Sequence, residues 1–317
     1  MSTFLIALVA VGVLLLSAIP GYLLMKKKML SESCIPGFSK ILLFICQPCL
    51  AIYSFSTLEF SIENLKNIGI FALLILAVHA VMLAGAYLAL RKKYKDAVYR
   101  IVTIATTFGN CAFFGIPVIE AMMPETAPKL IVYTTVYAVV MNVIGWTVGC
   151  AIISGNTKYI SMKKIFVNPA MLGFLSALLI YVLGIKFEGA FGEQLGNMIQ
   201  HIARMATPLS MVVMGMRLAT MRLSSVFGDA KIYFAIAIKQ LFMPLIAFLL
   251  VFALTPVNVE LRRTFYILCA CPVASIVLNF SEIMGEGQES AANSVLLGTI
   301  LSIATLPLMM LLMPLIG

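Results

Sequence analysis

The sequence predicts an all-α integral membrane protein with about ten transmembrane helices. Hydrophobic residues make up 62% of the 317 residues, charged residues make up 11%, and the mean hydropathy is +1.06. Soluble globular domains carry about 25% charged residues, so this composition excludes a soluble globule. A bilayer crossing needs about 20 apolar residues, and a chain of this length with short loops holds roughly ten of them.

Apolar stretches separated by short polar loops follow one another along the whole chain. We predict spans at 4–25, 41–57, 68–90, 98–122, 130–154, 169–185, 195–218, 232–254, 265–283 and 291–316. The first is a retained helix and not a signal peptide, because no basic residue precedes it and a basic cluster follows it. In the seventh, only 205–216 is free of charge, so His201 and Arg204 must lie near an interface or face protein.

Basic residues distinguish two sets of loops. The odd-numbered loops and the adjoining span ends hold most of them: Lys26, Lys27, Lys28, Lys40, Arg91, Lys92, Lys93, Lys95, Arg100, Lys158, Lys163, Lys164, Arg217, Arg222 and Lys231. The even-numbered loops hold few: Lys66, Lys129, Lys186, Arg262 and Arg263, with Arg204 nearby. Positive loops stay in the cytoplasm, which places the odd loops inside and both termini outside. Because the basic residues are scattered and form no single face, nucleic acid is not an expected partner.

The fourth predicted span carries helix-breaking residues near its middle, namely Gly109, Asn110, Gly115 and Pro117. Proline removes a backbone donor, and glycine has the lowest helix propensity after proline. In hydrocarbon, freed backbone groups are tolerated only where protein or a watery cavity satisfies them. Secondary transporters build substrate sites at such breaks. A proline kink that serves packing alone is the alternative interpretation.

Two halves of the chain repeat one plan. Gln47-Pro48 relates to Thr207-Pro208 by the same offset that relates Gly109-Asn110 to Cys269-Ala270, beside Pro272. Each half, 1–155 and 156–317, would contain five spans with the second and fourth interrupted. Because five is an odd number of crossings, the second half would begin on the opposite side of the membrane and so have an inverted orientation. Inverted repeats exchange conformations and so give alternating access to one site.

Other polar groups inside the predicted spans have two interpretations each. Lys239 either supplies a positive charge near a break or extends toward the interface. His79 either carries a proton or is a hydrogen-bonded packing residue. Ser210 and Asn279 are candidates to line a cavity. Cys46 and Cys49 have the spacing of a redox or metal pair, but buried cysteines usually act as small hydrophobes.

The sequence contains no metal-ligand cluster, phosphate-binding loop or nucleophile motif. It therefore predicts no cofactor, no metal and no enzymatic activity. An anion channel would need a ring of carbonyls or charges around a shared axis. A membrane ligand sensor would need an output module, for which the short loops leave no room. Both remain alternatives to a carrier.

Several motifs resemble those of the auxin efflux carrier family, which includes plant auxin exporters and bacterial carriers of small organic acids. They are GYLLMKKKMLSE at 21–32, NCAFFGIP at 110–117, ATPLSMVVMG at 206–215, CPVAS at 271–275 and LSIATLP at 301–307. They occur in the family's order along the full chain. Bacterial relatives often have further small or amide residues after the ninth-span proline, where this chain has Ile276, Val277 and Leu278.

The resemblance implies a five-plus-five fold in the bacterial inner membrane. Spans one, two, six and seven would form a scaffold that often dimerises, and the others a transport unit moving as an elevator, with spans four and nine crossing. Related chains often carry a lysine at the position of Lys239. The expected substrate is a small organic carboxylate, exported or exchanged without obligatory cation coupling.

The substrate is expected at this crossing. Half-helix N-termini favour anions, Gly109 and Gly115 permit close approach, and the Asn110 amide both donates and accepts. The predicted substrate-binding residues are Asn110, Gly109, Gly115, Pro117, Pro272, Ser275, Asn279, Gln47 and Ser210. Lys239 and His79 are the predicted charge or coupling residues.

Overall fold

Helices account for most of the computed structural model, which describes residues 2–156, 158, 160, 162–220, 227–253 and 257–317. Arg222 and the predicted span end Leu254 lie outside the described residues. We number the helices α1 Thr3–Lys26, α2 Glu32–Ser56, α3 Ile62–Lys93, α4 Ala97–Ala105, α5 Gly115–Met122, α6 Ala127–Ser154, α7 Met162–Val167, α8 Pro169–Val182, α9 Gly189–Arg204, α10 Ala206–Thr220, α11 Ala230–Ala253, α12 Val259–Ala270, α13 Ile276–Met284 and α14 Gln288–Leu315.

Within the described residues, six helices are long and apolar enough to cross a membrane: α1, α2, α3, α6, α11 and α14. The shortest of them has 24 residues. At 1.5 Å per residue it extends about 36 Å, more than the roughly 30 Å of a hydrocarbon core. The chain is therefore an all-helical, multi-pass membrane protein, as the composition predicts.

The helices that correspond to the fourth, seventh and ninth predicted spans are interrupted. Residues 106–114 separate α4 from α5, Met205 separates α9 from α10, and residues 271–275 separate α12 from α13. Helix α2, in contrast, continues through Gln47-Pro48, where we predicted an interruption. A π turn at Leu42–Cys46 directly precedes this proline and accommodates it without ending the helix.

Helix packing divides the bundle into two groups. In the first group α2 packs against α8 and α9, and α1 packs against α10; in the second, α3 packs against α6, and α14 against α4 and α11. Helices α1 and α6 join the groups, since α1 also contacts α5 and α14, and α6 also contacts α2 and α8. Glycine permits the closest approach: Gly21 of α1 lies against the Val212 carbonyl, and Gly215 of α10 against the Ala18 carbonyl.

The loops gather at two ends of the bundle. Lys231 lies 3.9 Å from Asp96 and Arg100 lies 2.9 Å from Glu286, which joins the loops after α3, α10 and α13. We call this the basic end, because it also carries Lys92 and Lys93. The loop after α2, the start of α6 and the residue before α12 instead line one shared cavity, with Thr57, Lys129 and Asn258 in its wall. We call this the far end.

Candidate functional site

The two unwound stretches, 106–114 and 271–275, cross each other and pair through their backbones. The Asn110 N–H donates to the Pro272 carbonyl at 2.7 Å, and the Ala274 N–H donates to the Phe108 carbonyl at 2.9 Å. Gly109 and Val273 face each other in an antiparallel bridge. Backbone groups released from a helix inside a membrane need such partners. The predicted break is therefore present, and much of its backbone is satisfied by a second break. We call this region the crossing.

Local sequence explains where α12 stops. The residue before a proline is driven out of the helical conformation. Cys271, which precedes Pro272, has an extended backbone with φ −60° and ψ 147°. The next helix, α13, starts only after Ser275. The short non-helical stretch thus follows from one proline placed at mid-helix.

Two glycines at the first break, Gly109 within it and Gly115 at the start of α5, are tightly packed. A Cβ at Gly109 would lie 3.0 Å from Cε and 3.0 Å from Nζ of Lys239. A Cβ at Gly115 would lie 2.6 Å from Cδ2 of Leu268 and 3.3 Å from the Cys271 sulfur. Glycine at position 115 therefore lets the start of α5 approach the second break, and glycine at position 109 leaves room for the Lys239 side chain. We predicted that these glycines permit close approach of a ligand; in the structure they permit close packing of the protein itself.

Lys239 points into the crossing and not toward an interface. Its side chain is 0% exposed, and Nζ donates at 2.8 Å to the carbonyls of both Cys269 and Cys271. These carbonyls lie at the C-terminal end of α12, where helices leave acceptors unpaired and where the helix dipole is negative. A π turn at Ile238–Phe242 presents this side chain from α11. The interface interpretation of Lys239 is therefore wrong.

Four half-helix ends meet at the crossing. Helices α4 and α12 end there, whereas α5 and α13 begin there. The Gly115 N–H already donates to the Asn110 carbonyl and the Val277 N–H to the Ala274 carbonyl, so these helix starts act mainly through the positive ends of their dipoles. Lys239 neutralises the negative end of α12. Two positive helix starts, those of α5 and α13, then face one uncovered negative end, that of α4, and this excess of positive partial charge favours an anion. The Asn110 side chain, in a residue that is 8% exposed, makes no hydrogen bond to the described part of the chain. Its amide is therefore free for a ligand.

A cavity of about 660 Å³ reaches from the basic end toward the crossing. It lies between α2 and α10 on one side and α13 and α14 on the other. Its wall includes three predicted residues, Ser210, Ser275 and Asn279, and also Phe113 of the first break. Ser275 is exposed to it directly before the start of α13. We call it the basic-end cavity.

A second cavity, of about 530 Å³, approaches the crossing from the other side. It is lined by α5 with Pro117 and Glu120, and by the α9–α10 junction with Arg204 and Thr207. We call it the far-end cavity. Neither cavity is lined by Asn110 or Gly109, which lie beneath the walls. The crossing is therefore approached from both ends.

Two predicted residues lie away from these cavities. His79 is 0% exposed behind the crossing, with Nδ1 2.8 Å from the Ile75 carbonyl and its ring 6.0 Å from that of Phe108. Gln47 lies on α2 and lines neither cavity. The described residues contain no group of three or more metal-ligating side chains.

Three residues of the cavity walls were not among our predicted ligands. Phe113 is in the first break, Arg204 ends α9, and Arg217 is near the end of α10. We interpreted Arg217 only as an indicator of orientation, and Arg204 as a residue that lies near an interface or faces protein.

Crossing, interrupted helices in an all-helical bundle define a class of multi-pass membrane proteins with discontinuous helices at mid-depth. The chain belongs to the membrane transport protein family, the auxin efflux carrier family, whose sequence profile matches residues 6–310. That match includes all the motifs that carry the resemblance, and the family is one of transporters. The comparison with curated proteins finds no significant match.

Proposed function

We propose that this protein is a secondary transporter that moves a small organic carboxylate across the plasma membrane by alternating access. The observation that carries the proposal is the crossing, where two half-helices begin beside an uncommitted amide at Asn110. The substrate site consists of Asn110, Ser275 and the first turns of α5 and α13. Gly109, Gly115, Pro117 and Pro272 shape it.

An anion is favoured by the distribution of partial charge. Two positive helix ends face the site, and Lys239 covers the two terminal carbonyls of α12. Lys239 thus acts as a positioning residue and not as a direct ligand. An anion at mid-membrane must offset its own desolvation, which hydrogen bonds to amides and a side-chain amide can do.

Movement between two helix groups gives access to either end. The scaffold comprises α1, α2 and α8 to α10, and the transport unit comprises α3 to α6 and α11 to α14. The packing of the described helices supports this division, and each cavity lies largely between the two groups. An elevator-type displacement of the transport unit would open one cavity while closing the other.

The two halves, 1–155 and 156–317, form a five-plus-five inverted repeat of ten spans in this proposal. Matched interruptions support it, since α5 and α13 both begin at the crossing and α4 and α12 both end there. The basic end faces the cytoplasm by the positive-inside rule, with both termini outside. The scaffold is the expected surface of a homodimer, and export or exchange is the expected direction.

The test is a thermal-shift screen of the purified protein against small carboxylates, followed by uptake into liposomes. A ligand that binds only the folded state raises its melting temperature. We expect stabilisation by one class of carboxylate and saturable flux of the same compound. Stabilisation by cations alone would contradict the anion assignment. Non-saturable, voltage-dependent flux would indicate a channel, and binding without flux would indicate a sensor.

A further inference from the structure

Each cavity is lined by an acid of the transport unit and an arginine of the scaffold. At the basic-end cavity, Arg217 Nη1 lies 3.0 Å from Glu282 Oε1. At the far-end cavity, Glu120 and Arg204 both line the wall, but no ion pair joins them in the described chain, where the salt bridges are those of Arg100, Arg217 and Lys231. Of these two pairs, Arg217 and Glu282 are at ion-pair distance in this state, whereas Glu120 and Arg204 are not.

Both arginines belong to the scaffold, on either side of the interruption at Met205. Arg204 ends α9 and Arg217 lies near the end of α10, directly after it. At 1.5 Å per helical residue, the two positions are about 20 Å apart along the helix direction. Their spacing is fixed by the backbone, so they cannot approach the crossing together.

Both glutamates belong to a second rigid part. Glu120 lies on α5 and Glu282 on α13, each more than a helical turn beyond the crossing and both exposed. The backbone bonds between Asn110 and Pro272 and between Phe108 and Ala274 join the two breaks from which these half-helices start. A displacement of one half-helix therefore carries the other in the same direction.

We infer that Arg217–Glu282 and Arg204–Glu120 are reciprocal latches, only one of which is closed in each state of the transport cycle. A displacement that brings Glu120 to Arg204 moves Glu282 away from Arg217. The present arrangement is the state with the basic-end latch closed. This inference rests on the proposed transport function and adds the contacts that hold each end state.

The experiment is hydrogen exchange of the full-length protein in nanodiscs without substrate, comparing wild type with Glu282→Gln. Loss of the closed latch should shift the conformational equilibrium on the order of two- to fivefold, since partly exposed ion pairs have modest strength. We expect faster exchange in Ile276–Met284 and slower exchange in Gly115–Met122. Glu120→Gln should produce the opposite shift, and exchanging the charges of Arg217 and Glu282 should restore the wild-type pattern.

The matched control is Glu286→Gln. The Arg100–Glu286 pair has a similar distance, 2.9 Å, and similar side-chain exposure, 12% and 42% against 21% and 45% for Arg217 and Glu282. It lies within the transport unit, so its loss should leave the equilibrium between the two cavities unchanged. Equal effects of both substitutions, or no effect of Glu282→Gln, would overturn the latch inference. Because exchange requires no substrate, that failure is distinct from the absence of saturable flux, which would refute the transport function.

Discussion

Replacement of Asn110 by alanine should separate substrate binding from stability. The Asn110 side chain makes no hydrogen bond to the described part of the chain, whereas its backbone N–H donates to the Pro272 carbonyl and its carbonyl accepts from the Phe114 and Gly115 N–H groups. Alanine keeps both backbone groups. We therefore expect the free energy of unfolding to change by less than about 0.5 kcal/mol.

Substrate affinity should respond much more strongly. A hydrogen bond to a charged carboxylate contributes about 1.5–3 kcal/mol, so losing one should weaken binding roughly 10- to 100-fold. The assay is the concentration dependence of the ligand-induced thermal shift, measured with the purified protein. Liposome uptake at several substrate concentrations would report the same loss as a raised half-saturation concentration.

Asn142→Ala is the matched control. Asn142 is 7% exposed, close to the 8% of Asn110, but its Nδ2 donates to the Ala138 carbonyl at 2.8 Å and its Oδ1 accepts from Asn168 at 3.3 Å. Alanine there should cost roughly 1–2 kcal/mol of stability and leave affinity unchanged. Wild-type affinity in Asn110→Ala, or a large loss of its stability without ligand, would refute the assignment of this amide to the substrate.

Three further predictions concern packing and topology. Lys239→Met should lower the melting temperature by several degrees, because each carbonyl left unpaired at the end of α12 costs about 1–3 kcal/mol; an unchanged melt would show that neither bond stabilises the fold. Gly21→Ala should destabilise by about 1–3 kcal/mol, since its Cβ would overlap the backbone of α10, whereas Gly12→Ala, with nothing within 4 Å, should not; equal melts would contradict this packing. A cysteine at Lys129 should react with an impermeant thiol reagent in intact cells, and one at Lys93 only after permeabilisation; the reverse pattern would invert the orientation.

Local sequence determined the membrane class and the positions of the breaks. The length of their apolar stretches alone predicts α1, α3, α6 and α14, because uninterrupted apolar stretches of this length are typical of helices that cross the hydrocarbon core of a bilayer. Pro272 ends α12 through the steric restriction that any proline places on the residue before it. These effects act within a few residues, so they can be read without knowing the fold.

Local sequence failed at Pro48, where the same kind of residue does not end the helix. Helix α2 absorbs the proline with a π turn, since the helices packed around it hold its axis. Whether a proline breaks or only distorts a helix depends on this packing. The repeat pattern in the sequence contains no information about this packing, so it could not predict that α2 continues through Pro48.

Only the tertiary structure decided which residues meet at the crossing. Asn110 pairs with Pro272, and Lys239 reaches the carbonyls of Cys269 and Cys271, although these groups lie far apart along the chain. Sequence left two directions open for the lysine, because its long side chain can extend either way from the same backbone position. Which direction is used depends on where unpaired carbonyls lie, and that is a property of the folded chain.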